Sequence, residues 1–341
     1  MLINEQKCVK LKYMVRFKNQ ERGFHMLNIL TKDMIYKLND KDSIDGIMYL
    51  LTYEVALTKN DKPFVKGTLQ SEGAIHFKAW DNTAAYDVIR RDDVHHAIVH
   101  ITGSVDVYND TKGVRLDTLE VIPESDELNY LDFMETVYDT DACWMTLVDK
   151  LKKYCSANAM QVFFMIMDDV RVKPSFKYEF AAISHHDSCK SGLLAHTTKV
   201  VRWAEMVFLY SDIAIAIDAS TFFLAAALHD VGKCVEYQHG GISEKGKIAS
   251  HLTYGVEILY DYKETIIQLV GENTFDILIA TIQQHHGQYG DQPRQLIPAL
   301  VHIFDSVDTT LSDVNARIRE DSQKGIKSSI YIRDVGGNIN Y

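Results

Sequence analysis

Two hydrophobic periods divide the chain. From residue 48 to 122 apolar and polar residues alternate in short runs, the period-2 pattern of half-buried strands. The pattern predicts strands over Tyr49–Leu57, Phe64–Leu69, Ala74–Trp80, His96–Val107 and Val114–Val121. Turn residues separate them at 59–63, Ser71-Glu72-Gly73 and Asn109-Asp110, and residues 81–93 read as helical or irregular. Short strands punctuated this closely predict a small barrel. From residue 136 onward the apolar spacing is helical, with helices expected over 146–154, 160–168, 193–210, 218–229, 250–261, 274–286 and 296–319. Almost nothing in this half reads as strand, so it is expected to be all-α. Residues 123–135, PESDELNYLDFME, are acidic and open on a proline, and read as a linker. Residues 1–47 mix charges and hydrophobes without a period and read as an extension of unassigned role.

The alternation also sorts the faces of the barrel. In the third strand Ile75, Phe77 and Ala79 share one face, and His76, Lys78 and Trp80 share the other. In the second strand Phe64, Lys66 and Thr68 share a face. Aromatic rings interleaved with lysines on an exposed sheet suit single-stranded nucleic acid, the rings stacking bases and the ammonium groups meeting phosphates. The pattern alone leaves a second reading open, with Trp80 in the core at a barrel end and the lysines merely solvated.

The chemistry concentrates in the helical half. In LAAALHDVGK, residues 224–233, an apolar run ends in His229-Asp230, followed by Gly232 and Lys233. One imidazole and one carboxylate cannot complete a metal's coordination shell. His196, His251, His285, His286 and Asp305 are spaced at helix-to-helix intervals around the pair, and bundles build metal sites from inward side chains on facing helices. Imidazole and carboxylate without thiolate suit Mn, Fe, Co or Zn in a catalytic site. The set is too large for one ion and fits two, with Asp230 as the natural bridge. Two ions about 3.5–4 Å apart make a phosphoester hydrolysis centre. Asp308 competes with Asp305 on the same helix face, and Asp305 is favoured. Lys233 is expected to neutralise a phosphate, or else to be a helix C-terminal cation. His185-His186 could face substrate, whereas His239 and His302 read as structural or solvated.

Composition sets the bounds. Of 341 residues, 46% are apolar and 24% charged, ordinary for a globular protein, and no apolar run reaches the roughly 20 residues of a membrane span. The N-terminus lacks a signal-peptide core. The five cysteines (Cys8, Cys143, Cys155, Cys189 and Cys234) are scattered without a CxxC, against a disulfide framework or a zinc ribbon. A cytoplasmic protein with no membrane partner is expected. The net charge of −11 argues against a broad phosphate-binding surface but allows a local basic groove.

At this point GLLAHT, ALHDVGK, SHLTYGVEI, QQHHGQYGDQP and VHIFDSVDT resemble the HD phosphohydrolases, and among them the YhaM-type 3′→5′ exoribonucleases. Upstream, LTKNDKPFVKGTLQSEGAIHFKAWD resembles the OB-fold of the same family. The resemblance implies an N-terminal all-β OB-fold barrel over 48–122, followed by an all-α HD-domain helical bundle over 136–325 and a tail over 326–341. It implies a metal-dependent exonuclease that removes nucleotides from the 3′ end of single-stranded RNA, with ssDNA as a further substrate. The implied cofactors are two divalent ions, Mn²⁺ expected and Fe, Co, Zn or Mg alternatives. His196, His229, Asp230 and Asp305 would hold one ion; Asp230, His251, His285 and His286 would hold the other. Asp230 and Lys233 would be catalytic, and Phe64, Lys66, His76, Lys78 and Trp80 would contact the strand. A homo-oligomer is compatible with all of this. The alternative is an HD-domain phosphohydrolase of a small nucleotide, with the OB-fold as a regulatory or assembly module.

Overall fold

The computed structural model describes residues 14–19, 23–92, 94–108, 111–125, 128–182, 189–287, 290–324, 329–332 and 337–340. The chain divides into two compact units, Met1–Thr136 with His239–Gly241, and Val137–Gln238 with Ile242–Tyr341. Among the described residues no helix is long and apolar enough to cross a membrane.

The first unit opens with an antiparallel pair, β1 (Met14–Asn19) and β2 (Gly23–Asn28), and a short helix α1 (Lys32–Lys37) capped by the Thr31 hydroxyl. The barrel strands are β3 (Ser43–Leu57), β4 (Pro63–Gln70), β5 (Ala74–Trp80), β6 (Ala97–Tyr108) and β7 (Thr111–Ile122). They close in the order β3-β4-β5-β7-β6, antiparallel except for the β5–β7 pair. Helix α2 (Ala84–Arg91), capped by Thr83, lies between β5 and β6 in sequence and buries Ala85 and Ile89. Five strands closing in this Greek-key order form the OB-fold barrel.

Two borders differ from the sequence reading. The barrel begins at Ser43, inside the expected extension, because Ile47, Met48, Tyr49 and Leu50 are all fully buried and so lack the alternation that marks a strand. A register shift between Leu50 and Thr52 separates that buried half from the half-exposed remainder of β3. The expected linker is partly packed: Asn129 and Asp132 form a capping box on the 3₁₀ turn Tyr130–Phe133, and Phe133 is buried, stacked 6.2 Å from the Tyr49 ring. Glu124, Asp132 and Glu135 mark the surface, while Leu128, Phe133 and Met134 turn inward.

The second unit is helical. Its elements are α3 (Thr140–Tyr154), α4 (Ala157–Met167), α5 (Gly192–Tyr210), α6 (Ala219–Leu228) and α7 (Lys233–Glu236). A two-residue ladder, β8 (Tyr237–Gln238) with β9 (Gly241–Ile242), precedes α8 (His251–Asp261), α9 (Lys263–Val270), α10 (Glu272–Gln284) and α11 (Leu296–Lys324). Helix α6 is buried at every position from Thr221 to Leu228, as an apolar-all-round helix must be. Helix α9, unexpected from sequence, buries fully only Ile266 and so carries little periodic signal. The expected tail contains a hairpin, β10 (Ser329–Ile332) paired with β11 (Gly337–Asn340).

An ion network clamps α3 to α5. Glu205 accepts from Tyr154 Oη at 2.9 Å and Lys153 Nζ at 3.1 Å, and pairs with Lys150. Burial pushes the Glu205 carboxyl up, but Lys150, Lys153 and Tyr154 outweigh it and hold it at about 2. A depressed carboxyl contributes stability that is complete above its ordinary range near pH 4.5 and is lost as pH falls toward 2. Glu205→Gln should therefore lower stability at pH 7 by up to about 3 kcal/mol and flatten acid unfolding between roughly pH 4.5 and 2, as read by denaturant titrations.

Candidate metal centre and nucleic-acid face

The HD turn sits where the buried helix stops. Helix α6 ends at Leu228, His229 is its C-cap, and a backbone bond from Val231 N to Leu228 O at 3.1 Å turns the chain. His229 and Asp230 are each 1% exposed. Gly232 lets the start of α8 cross directly over this turn. A Cβ there would lie 1.9 Å from the His251 carbonyl oxygen and 2.5 Å from Gly255 N. The small residue thus brings His251 to Asp230.

The candidate ligand atoms fall into two groups that meet at Asp230. In one, His196, His229, Asp230 and Asp305 offer atoms all within 4.8 Å of one another; in the other, His251, His285 and His286 do the same. Asp230 Oδ2 is 3.3 Å from both His196 Nε2 and His229 Nε2, and Asp305 Oδ1 is 3.2 Å from His196 Nε2. Asp230 Oδ1 is 3.4 Å from His285 Nε2 and 3.6 Å from His251 Nε2. Each carboxylate oxygen therefore addresses a different group. His251 Nε2 and His286 Nε2 face each other at 2.8 Å.

The outer nitrogens are already engaged. His229 Nδ1 donates to Ala226 O at 2.8 Å and His285 Nδ1 to Thr281 O at 3.2 Å. His196 Nδ1 donates to Asp308 at 2.8 Å and His251 Nδ1 to Glu236 at 2.5 Å. Four acceptors on Nδ1 leave four Nε2 lone pairs pointing inward, the arrangement that fixes and strengthens imidazole ligands. Asp308 thus stands behind His196, while Asp305 joins the inner cluster. Burial pushes the Asp308 carboxyl up, but His196 and then Lys199, whose Nζ lies 3.1 Å away, outweigh this and lower it.

The electrostatics divide the cluster, favouring a charged imidazole at His196 and a neutral one at His286. Burial pulls the His196 imidazole down, but Asp230, Asp305 and Asp308 outweigh it and hold it well above its ordinary value. Burial pushes Asp305 up, and His196 more than reverses this. Burial, reinforced by His285 and His251, drives His286 down to about 3, leaving it a neutral donor of its lone pair. Asp230 Oδ1 and His285 Nε2 are buried without a partner in hydrogen-bonding geometry, whereas Asp230 Oδ2 has the Lys233 ammonium at 2.7 Å. Buried polar atoms left this way are costly, and a bound cation satisfies them. The donor set of imidazoles and carboxylates fits a divalent ion.

Lys233 is buried and lies 2.7 Å from Asp230 Oδ2 at the start of α7, so it is an ion-pair partner of the site and not a C-terminal cation. Burial lowers its pKa, but Asp230 and Asp305 outweigh this and raise it. It lines a 710 Å³ cleft together with His196, His251, His285, His286 and Asp305. His302 supports the doublet from behind, donating to His285 O at 2.5 Å. His185-His186 lie outside the described residues. Of the outer partners, Asp308 stood out in the sequence only as the rival of Asp305, and Glu236 carried no separable signal. Asp308→Asn should lower divalent-metal affinity by about 10–100-fold with little change in the melting of the metal-free protein, measured by competition with a metallochromic chelator.

The barrel face assembles as cross-strand pairs: Phe64 opposite Trp80, Lys66 opposite Lys78, and Thr68 opposite His76. Phe64 and Trp80 stack at 5.1 Å between centroids, outside the core formed by Val65, Ile75, Phe77 and Ala79. Lys66 pairs with Glu54 at 2.8 Å and Lys78 with Asp106 at 3.1 Å. These pairs are solvent-exposed, worth about 0–1 kcal/mol each, and a phosphate can displace them. Lys66, His76 and Lys78 line a 490 Å³ groove with Tyr53, Tyr108 and Lys112, which the sequence reading did not single out. Tyr108 is exposed, with Lys78 Nζ 5.3 Å from its ring centroid.

The HD domain family matches residues 193–310. The 3′-5′ exoribonuclease YhaM of Listeria welshimeri is 24% identical over 269 residues, covering 74% of this chain and 80% of the relative. YhaM of Bacillus subtilis is 23% identical over 284 residues, covering 80% of this chain and 86% of the relative. Among solved structures, the mitochondrial single-stranded DNA binding protein Rim1 of S. cerevisiae matches 26% of this chain and all of its own, with a TM-score of 0.23 and 8% identity. Residues 193–310 carry an HD domain, and over most of its length the chain resembles the YhaM-type 3′→5′ exoribonucleases.

Proposed function

We propose that the protein is a metal-dependent 3′→5′ exonuclease that hydrolyses phosphodiester bonds of single-stranded RNA, and of ssDNA as a further substrate. The observation that carries this reading is Asp230, whose two oxygens address two separate groups of buried ligands. In the proposal His196, His229, Asp230 and Asp305 hold one divalent ion, and Asp230, His251, His285 and His286 a second, with manganese the expected metal. Bound divalent ions at such a centre supply Lewis-acid activation of water and of the phosphoryl oxygen. The chain's own residues do the rest. Asp308, Glu236 and two backbone carbonyls keep four imidazoles in one tautomer and orientation. Lys233, fixed by Asp230, brings a positive charge to the cleft to hold the scissile phosphate. The Phe64–Trp80 stack and the Lys66–Lys78 pair grip the single strand on the barrel face, rings against bases and ammonium groups against phosphates.

The test uses metal-stripped protein and 5′-labelled single-stranded RNA, with Mn²⁺, Mg²⁺ or no metal added. The expected result is a ladder that shortens from the 3′ end only when metal is present. Hydrolysis of a small phosphodiester without any shortening of RNA would favour the small-nucleotide alternative. Trp80→Ala combined with Lys78→Ala should weaken RNA turnover by about tenfold or more through KM and leave the small phosphodiester untouched. Equal losses on both substrates would remove the barrel face from the proposal.

A further inference from the structure

The cleft that contains the metal-site histidines extends beyond them. Its 710 Å³ falls within the range of about 300–1,000 Å³ typical of small-ligand sites. Near the ligands its lining is charged and imidazole-rich. Ile330, Tyr331 and Ile332 of the C-terminal hairpin also line it, along with Val314 from α11. Tyr331 is 60% exposed. Successive strand residues face opposite sides, so the exposed Tyr331 ring stands on one side with the two isoleucines behind it, a flat aromatic surface in the cleft that also holds the charged centre. A nucleotide has that same division: a flat base at one end and a phosphate at the other.

We propose that Tyr331, backed by Ile330 and Ile332, is the subsite for the base of the 3′-terminal nucleotide, whose phosphate lies at the ligand clusters and Lys233. The inference rests on the exonuclease reading and adds to it a base-binding surface supplied by the hairpin. Stacking on an aromatic ring tolerates every base, because each has a π-face, so this subsite holds the strand end without reading sequence. Tyr331 is a specificity residue for a terminal nucleoside and takes no part in bond cleavage.

The experiment compares two oligoribonucleotides, one intact and one lacking the base of its 3′-terminal residue, on the wild type, Tyr331→Ala and Tyr331→Phe. The wild type is expected to show a KM roughly tenfold or more higher on the abasic end, with kcat little changed. Tyr331→Ala should show that increase on the intact strand and no further increase on the abasic one, while Tyr331→Phe keeps wild-type values. Equal KM for the wild type on both strands, or equal losses for Tyr331→Ala on both, overturns the subsite. Binding provides an arm independent of turnover: adenosine 5′-monophosphate against ribose 5-phosphate, by titration calorimetry. Tighter binding of the nucleotide that disappears in Tyr331→Ala supports the subsite even if no strand is shortened, in which case the exonuclease reading alone falls. No preference between the two ligands overturns the subsite whatever the nuclease assay gives.

Discussion

Asp230→Ala should reduce RNA hydrolysis by on the order of 10³-fold or more, with single-stranded RNA still bound. The magnitude follows from what one side chain does. Loss of a single preorganised electrostatic group in an active site costs about 10²–10³ in kcat, and Asp230 serves both ligand groups at once. Its removal leaves His196 and His229 without the oxygen at 3.3 Å, and His285 without the one at 3.4 Å. It also leaves the buried Lys233 ammonium without its partner at 2.7 Å, so a fall in stability is part of the expectation. Asp230→Asn separates the effects, since it keeps the volume but removes the charge and gives one position a donor where an acceptor is needed. Single-turnover hydrolysis, RNA binding by anisotropy and bound metal by mass spectrometry should show loss, retention and depletion respectively. Residual turnover within about tenfold of wild type would sink the shared-carboxylate assignment.

Gly232→Ala should act just as strongly without removing any candidate ligand side chain. The added methyl meets the His251 carbonyl at 1.9 Å and Gly255 N at 2.5 Å, both backbone atoms that cannot rotate away. Overpacking usually costs about 1–3 kcal/mol and more where backbone must move. The start of α8 has to shift, and His251 rides on it. The expected result is a fall in melting temperature of several degrees, with divalent-metal affinity lost by a larger factor than stability alone explains. A folded Gly232→Ala protein with unchanged metal affinity would show that the crossing does not set the ligand geometry. The same substitution at Gly271 meets nothing within 4 Å, although its φ of +87° carries its own strain, and it serves as a control remote from the site.

The clustered histidines and aspartates were legible because chemistry overrode burial. A histidine or aspartate at 0–2% exposure, such as His196, His229, Asp230 or His285, would be out of place in a core without a task, and their helix-to-helix spacing was visible in the chain. The faces of β4 and β5 were legible because a period of two is rigid: Lys66 had to share a side with Phe64 and Thr68, and Lys78 with His76 and Trp80, while the register that pairs the two lysines was not visible. Partners from other elements were hidden. Nothing near Lys66 or Lys78 in sequence announces Glu54 or Asp106, and nothing near His251 marks Glu236 as its orienting acceptor. The first half of β3 was missed for the opposite reason, since Ile47 to Leu50 are buried on both faces and resemble any apolar run. Tyr331 was beyond reach because a four-residue strand leaves too short a pattern to separate from coil.

The ligand groups draw side chains from α5, the end of α6, α8, the end of α10 and α11, segments far apart in the chain from His196 to Asp305. Cations seated there would act as a cross-link. They would tie distant segments at one point, as a disulfide does, but reversibly and in proportion to free metal. Each tenfold excess of metal over its dissociation constant adds about 1.4 kcal/mol to the folded state. The enzyme's lifetime would then track the metal supply of its surroundings, and scarcity would remove the protein as well as its activity.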